Sequence, residues 1–324
     1  MNFTIESFFN SHLASGATRL DSVLTVSASN SGGVVATPRT GKNAVLFVID
    51  VSGSMAEKHK LEMAKVALRR CISLLDDSTY FSVIAFSSSP SAIVPLSLAT
   101  SSNLEAAHDR IKMLVAEGGT CMSRALECAR QELVKQPDAI AFVQFLTDGE
   151  NDRNDKSYLD DVLGHCEGKF QCDCWGVGTD WQPDDLRKIS GRLLGSADAV
   201  PNADQLETSF KGALANALSK GVGDVRLRLQ LPRTSKLTSV KQMSPEIADL
   251  SKLIKQVDDK NIDVPLGAWG EESRDYHVAF VIEPQVDGEE MMACRPKVVF
   301  VDNGSETIVD GQRIIATWTS DESL

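Results

Sequence analysis

From Ala44 onward the chain alternates runs that are apolar at nearly every position with longer segments that are apolar along one helical stripe. AVLFVID, YFSVIAF, AIAFVQFLTD and FQCDCWGVG are runs of the first kind, and ADAV is a shorter one. AIVPL also reads as a strand, and its Pro95 places it at a sheet edge, where a missing backbone donor is tolerated. The segment KLEMAKVALRRCISLLD sets Leu61, Ala64, Leu68, Cys71 or Ile72, and Leu75 on one helical face. SSNLEAAHDRIKMLV, MSRALECARQELVK, SYLDDVLGHC, PDDLRKISGRLL and ADQLETSFKGALANALSKG repeat the pattern. Ser101 and Ser102 are capping candidates, Pro183 suits a helix start and Gly221 a helix stop. Strands apolar on both faces, spaced by amphipathic helices, predict a doubly wound, mostly parallel sheet over residues 43–221.

The texture changes after Gly221. DVRLRLQLP alternates strictly, with Val225, Leu227, Leu229 and Leu231 on one side. SKLTSVKQM, RDYHVAFVIEP, MMACRPKVVFVD, SETIVDG and QRIIATWTS follow, broken by Pro, Gly and the Asn303-Gly304 pair, which are antiparallel signals. SPEIADLSKLI reads as a helical insertion. In GAWGEESRDYHVAF, Trp269 and Tyr276 read as aromatic packing near the start of a strand. The first 42 residues carry one strand, RLDSVLTVSAS, before a Ser/Gly-rich link. One strand cannot stand alone, so residues 1–42 should join the β domain of 222–324. The fold class expected is therefore α/β, with a Rossmann-like domain inserted in a discontinuous antiparallel β-sandwich domain.

The net charge of −12 and pI near 4.9 disfavour nucleic acid as a partner, because phosphate binding draws on clustered Lys and Arg. The Arg69-Arg70 pair reads as a solvated helix face. No run approaches the ~18 apolar residues of a membrane span, and the N-terminal residues lack the basic and apolar regions of a secretory signal. The expectation is a cytoplasmic protein with no membrane partner. Seven cysteines at irregular spacing do not form a disulfide framework. A zinc cluster of Cys166, Cys172 and Cys174 lacks a fourth ligand at normal spacing, so these read as small core residues. Cys121 stands near a helix start, which can lower a thiol pKa, but reads as a packing residue.

Two of the apolar strands end in an acid at the edge where open parallel sheets bind ligands. One ends in Asp50, followed by Ser52 and Ser54; the other leads to Asp148. A third loop, AEGGTCMSRA, presents Thr120 after Gly118 and Gly119. Each residue has an ordinary reading, as a helix cap or a turn. Together they form an all-oxygen set, suited to a hard divalent cation such as Mg²⁺, with Mn²⁺ or Ca²⁺ as alternatives. Glu150, Asn151 and Asp152 are expected to rim the crevice as solvated charges.

DVSGS from Asp50 to Ser54, GGT ending at Thr120 and TDG around Asp148 resemble, in order and spacing, the three loops of the metal-ion-dependent adhesion site of von Willebrand factor A domains. The resemblance covers residues 43–221, and none of the five positions departs from the pattern. It implies that the Ser and Thr hydroxyls contact the metal, that the acids bind directly or through water, and that a partner's Glu or Asp completes the shell. It also points to bacterial cytosolic proteins of this kind, with an ATPase, kinase or phosphatase as partner. The reading is a non-enzymatic, metal-dependent protein-binding module. The alternatives are a metal-dependent hydrolase, for which no positioned His or Lys is apparent near the three loops, and an RNA-binding scaffold, which the charge disfavours.

Overall fold

Three strands, not one, precede the Ser/Gly-rich link: β1 (Asn2–Phe9), β2 (His12–Ala14) and β3 (Arg19–Ser29). The computed structural model describes residues 1–29, 42–178, 181–200, 205–302 and 305–321. The link and the Asn303-Gly304 pair lie outside the described residues. The next strands are β4 (Asn43–Asp50), β5 (Tyr80–Phe86), β6 (Pro90–Leu98), β7 (Ile140–Thr147), β8 (Gln171–Val177) and β9 (Ala197–Val200). The helices are α1 (Lys60–Ile72), α2 (Ser101–Lys112), α3 (Met122–Leu133), α4 (Arg153–Cys166), α5 (Pro183–Arg192) and α6 (Leu206–Ser219). Among the described residues, no helix is long and apolar enough to cross a membrane.

These strands form one sheet in the order β6-β5-β4-β7-β8-β9, parallel except for β6. The antiparallel β6 lies at the edge, and its pairing with β5 slips near Pro95. Every residue of β4 and β7 is buried, which explains why their sequences carry no alternation. In β4, Val45, Phe47 and Ile49 face a core completed by α1, α2 and α6. Ala44, Leu46 and Val48 face a second core completed by α3, α4 and α5. Full burial of each such Val, Leu, Ile or Phe side chain contributes about 1.5–3 kcal/mol. The polar Gln144 in β7 is accommodated because its amide accepts from Trp175 Nε1 (2.8 Å) and donates to Asp173 (3.0 Å). The cap of α2 is Thr100, one residue before the expected serines, accepting from Asn103 N at 3.4 Å.

The C-terminal strands are β10 (Val222–Gln230), β11 (Ser235–Ser244), β12 (Ala248–Asp249), β13 (Lys255–Gln256), β14 (Asn261–Trp269), β15 (Glu272–Ile282), β16 (Glu290–Asp302), β17 (Ser305–Asp310) and β18 (Ile314–Thr319). With β1–β3 they make two largely antiparallel sheets, β1-β3-β15-β11-β12 and β13-β14-β10-β16-β18-β2, with β17 on β16. Val225, Leu227 and Leu229 are buried as the alternation requires, whereas Leu231 lies past the strand end and is half-buried. SPEIADLSKLI is not a helix: it holds β12 and one turn at Ser251–Leu253. Its apolar spacing mimics a helical period, but Leu250 N is bound by Val240 O (2.9 Å), which commits the segment to the sheet. Trp269 closes β14, a strand the pattern hides because Pro265 and Gly267 interrupt it. Phe3 from the first sheet packs on Trp269 and Phe300 of the second. Arg274 stacks 4.2 Å from Trp269 and donates to the carbonyls of Leu266 and Ala268 (2.8 Å each).

The position of β3 between β1 and β15 makes the N-terminal residues part of the sheet interior. A fragment of residues 43–324 should aggregate, because the bared edge of β15 offers unpaired backbone groups. A fragment of 43–221 should remain monomeric with native helical circular dichroism. A monomeric 43–324 fragment with wild-type thermal stability would contradict this account.

Candidate metal centre

The strand order reverses between β4 and β7, which are neighbours in register, Ile49 against Leu146. Their ends deliver Asp50 and Asp148 side by side, both 0% exposed. Asp50 Oδ1 accepts from Ser52 N (2.7 Å) and Oδ2 from Thr147 Oγ1 (2.5 Å). Ser52 Oγ lies 3.1 Å from Ser54 Oγ, and Ser54 Oγ donates to Asp148 Oδ1 at 2.6 Å. Neither serine caps α1, which starts only at Lys60 after a tight turn over Gly53–His59. The hydroxyls therefore serve the crevice rather than the helix.

The third loop is clamped onto the first: Glu117 N donates to Val51 O (2.7 Å) and Gly53 N to Gly118 O (3.0 Å). Gly118 has φ +83°, and a Cβ there would press on Ser87 and Ser88 at 3.1–3.3 Å, so the tight passage needs glycine. Thr120 is buried, and its carbonyl accepts from Asp152 N at 2.8 Å. A Cβ built on Gly149 would lie 3.4 Å from Thr120 Oγ1 and 3.6 Å from Ser54 Oγ. Both hydroxyls thus face the same point beside Asp148, and all five sequence candidates meet at one crevice.

Burial is the main force on Asp50 and lifts its pKa to about 6; hydrogen bonds from Thr147 and Ser52 oppose the shift, and the charge of Asp148 adds to it. A residue the sequence reading overlooked answers the charge of Asp148. Lys60 Nζ donates to Asp148 Oδ2 at 2.6 Å, with Lys60 only 4% exposed. The expectation that no Lys stands near the three loops is therefore wrong. The signal was present: Lys60 lies one turn before Ala64 and two before Leu68, on the buried face of α1. Lys58 and His59 just before it adopt left-handed backbone, φ 49° and 57°. Such conformations cost on the order of 1 kcal/mol each in a non-glycine residue, and they lead directly into the buried Lys60. Gly178, at the exit of β8 with φ +77°, borders the stem: a Cβ there would lie in ordinary contact, 3.6 Å from Lys60 Cε.

Of the expected rim of Glu150, Asn151 and Asp152, the first and last are exposed, and Asn151 is corrected. Asn151 is buried and accepts from Met122 N (3.0 Å), fixing the start of α3. Asp152 caps α4 by accepting from Asn154 N (2.8 Å), and Glu150 accepts from Gln182. Asp155, also overlooked, is buried and accepts from Ser123 N (2.7 Å) and Ser123 Oγ (2.6 Å). The Cys121 thiol is raised rather than lowered, by burial first and then by Asp155. Cys166, Cys172 and Cys174 are buried free thiols, with the last two sulfurs 3.9 Å apart. Among the described residues, no three His, Cys, Asp or Glu side chains gather as a metal group. Among the described residues, the crevice between β4 and β7 gathers two acids, Asp50 and Asp148, with hydroxyls beside them.

Comparison with known proteins agrees with this architecture. The model of the von Willebrand factor type A domain matches residues 45–150, a span that contains all five candidates. A solved structure described as von Willebrand factor type A from Catenulispora acidiphila is 33% identical, with a TM-score of 0.93 over 99% of this chain and 74% of that one. The ArnB paralog VWA2 from Sulfolobus acidocaldarius shares the fold at 12% identity, with a TM-score of 0.65 over 99% of this chain and 77% of that one. Among curated relatives, von Willebrand factor A domain-containing protein 5A of Mus musculus is 28% identical over 62% of this chain and 26% of its own length. Inter-alpha-trypsin inhibitor heavy chain H3 of Homo sapiens is 30% identical over 57% of this chain and 22% of its own length. The chain thus spans about a quarter of the length of these curated relatives. The match of residues 45–150 and the likeness along nearly the whole chain show that it belongs to the von Willebrand factor type A domain family.

Proposed function

We propose that this chain is a non-enzymatic protein-binding module that docks an acidic side chain of its partner through a divalent cation. The observation that carries the reading is the convergence of Ser52, Ser54 and Thr120 hydroxyls on two fully buried carboxylates, Asp50 and Asp148. The donors fit the group: they are all hard oxygens, and Asp50 is a buried carboxylate held beside a second one. Asp50, Ser52, Ser54, Thr120 and Asp148 would hold the ion, Mg²⁺ in the first instance, with Mn²⁺ or Ca²⁺ as substitutes. The ion supplies a positive coordination position at the mouth of the crevice, which a Glu or Asp of the partner completes. With so few carboxylates in the set, the hydroxyls leave that position short of negative charge.

Residues 43–221 would be the docking domain, and residues 1–42 with 222–324 its support. A cytoplasmic setting fits the seven free thiols, five of them buried. Hydrolysis would need a general base beside the crevice. Among the described residues, the amine beside the crevice is that of Lys60, which is engaged with Asp148. The charge of −12 weighs against RNA.

Three outcomes are expected. Calorimetric titration with Mg²⁺ or Mn²⁺ should give heat for the wild type and none for Asp50→Ala, with the fold retained; equal affinity in the variant would remove Asp50 from the site. A partner captured from lysate on the immobilised full chain should be released by EDTA and weakened by Thr120→Ala. Full retention under both treatments would place the docking surface elsewhere. The third concerns protons. The pKa of Asp50 in the fold, about 6, lies above its ordinary value of 3.8. Its contribution to stability is therefore full below 3.8 and is lost as pH rises through 6. In EDTA, Asp50→Asn should gain on the wild type by up to about 3 kcal/mol between pH 4 and pH 7. Denaturant melts at several pH values would show it, and a pH-independent difference would contradict it.

A further inference from the structure

We propose that Lys60 is a resident counter-ion of the metal centre: its ammonium holds the crevice together when no metal is bound, and a divalent cation must bind against its charge. The inference rests on the metal reading above and deepens it. Lys60 Nζ sits 2.6 Å from Asp148 Oδ2, in an ion pair whose members are both removed from water. The other oxygen of Asp148 accepts from Ser54, which continues to Ser52. Asp148 is therefore satisfied on both sides by the protein itself.

The surroundings are arranged for this amine. It occupies the first position of α1, after two residues in left-handed backbone, and its stem lies beside Gly178, whose φ of +77° favours glycine. A lysine is almost never buried unless paired, and Lys60 is both buried and paired with Asp148. Any cation ligated by Asp148 lies within one carboxylate of this ammonium. Like charges at that range repel appreciably even with partial screening. Lys60 thus acts on metal affinity through Asp148, as a positioning residue, and the ion is retained best when a further anion arrives from a partner. The same repulsion makes metal and partner carboxylate bind cooperatively.

A purely structural residue and a counter-ion make opposite predictions. Losing a structural residue weakens both the fold and the metal site. Losing a counter-ion weakens the metal-free fold and strengthens metal binding. The test is calorimetric titration of the full chain with MnCl₂, together with thermal melts in EDTA, for the wild type, Lys60→Met and Lys60→Arg. Lys60→Met should melt lower in EDTA, show a larger rise in melting temperature with Mn²⁺, and bind Mn²⁺ at least roughly tenfold more tightly. Lys60→Arg keeps the charge and should stay within about threefold of wild-type affinity, which keeps the idea testable if the Met variant fails to fold. Equal or weaker Mn²⁺ binding by Lys60→Met overturns the proposal and leaves the metal reading standing, as does a tenfold change in either direction for Lys60→Arg. Absence of Mn²⁺ heat from the wild type and both variants overturns the metal reading and this proposal with it.

Discussion

Asp50 and Asp148 stand at the ends of neighbouring parallel strands, both shut off from water. Burial raises the pKa of Asp50, and the charge of Asp148 adds to the shift. Much of the local structure answers that charge. Thr147 and the Ser52 backbone donate to Asp50, while Ser54 and Lys60 donate to Asp148. These donors come from the ends of β4 and β7 and from the start of α1. Removing one member of a buried ion pair typically costs about 3–5 kcal/mol, so the network also fixes where α1 begins and how the first loop turns.

The fold provides the place for this concentration of charge. Strands buried on both faces accept a polar group inside them only when it is fully hydrogen-bonded, as Gln144 is, and otherwise at their ends, which in a doubly wound sheet gather where the strand order reverses. The loop carrying Thr120 is tied to the first loop by backbone hydrogen bonds through Val51 and Gly118. The three loops therefore form one surface although they are far apart in sequence. The second unit, two sheets closed by Phe3, Trp269, Phe300 and Arg274, is built separately on side-chain packing across its interior.

Much of this was legible in the sequence because the strongest signals are local. The nearly unbroken apolar runs of β4 and β7 point to burial on both faces, and the acids and hydroxyls following them to strand ends. The residues missed depend on partners distant in the chain. Lys60 reads as an ordinary exposed lysine until its place on the buried face of α1 is combined with the position of Asp148. Asn151 and Asp155 look like a loop amide and a helix-start charge, yet they serve α3, across the loop. The strand β14 was hidden because Pro265 and Gly267 break its apolar run, and the pairing with β10 slips there. SPEIADLSKLI misled in the other direction, since three apolar residues at helical spacing cannot outweigh capture of Leu250 by Val240.

The central claim is that five oxygen donors from three loops hold a single divalent cation between the two buried carboxylates. Anomalous diffraction from crystals of the full chain grown or soaked with Mn²⁺ tests it most directly. The account predicts one strong peak within bonding distance of oxygens from Asp50, Ser52, Ser54, Thr120 and Asp148, directly or through ordered water. A crevice without a peak, with Lys60 still on Asp148 at saturating Mn²⁺, or a peak at another place on the chain, would contradict it.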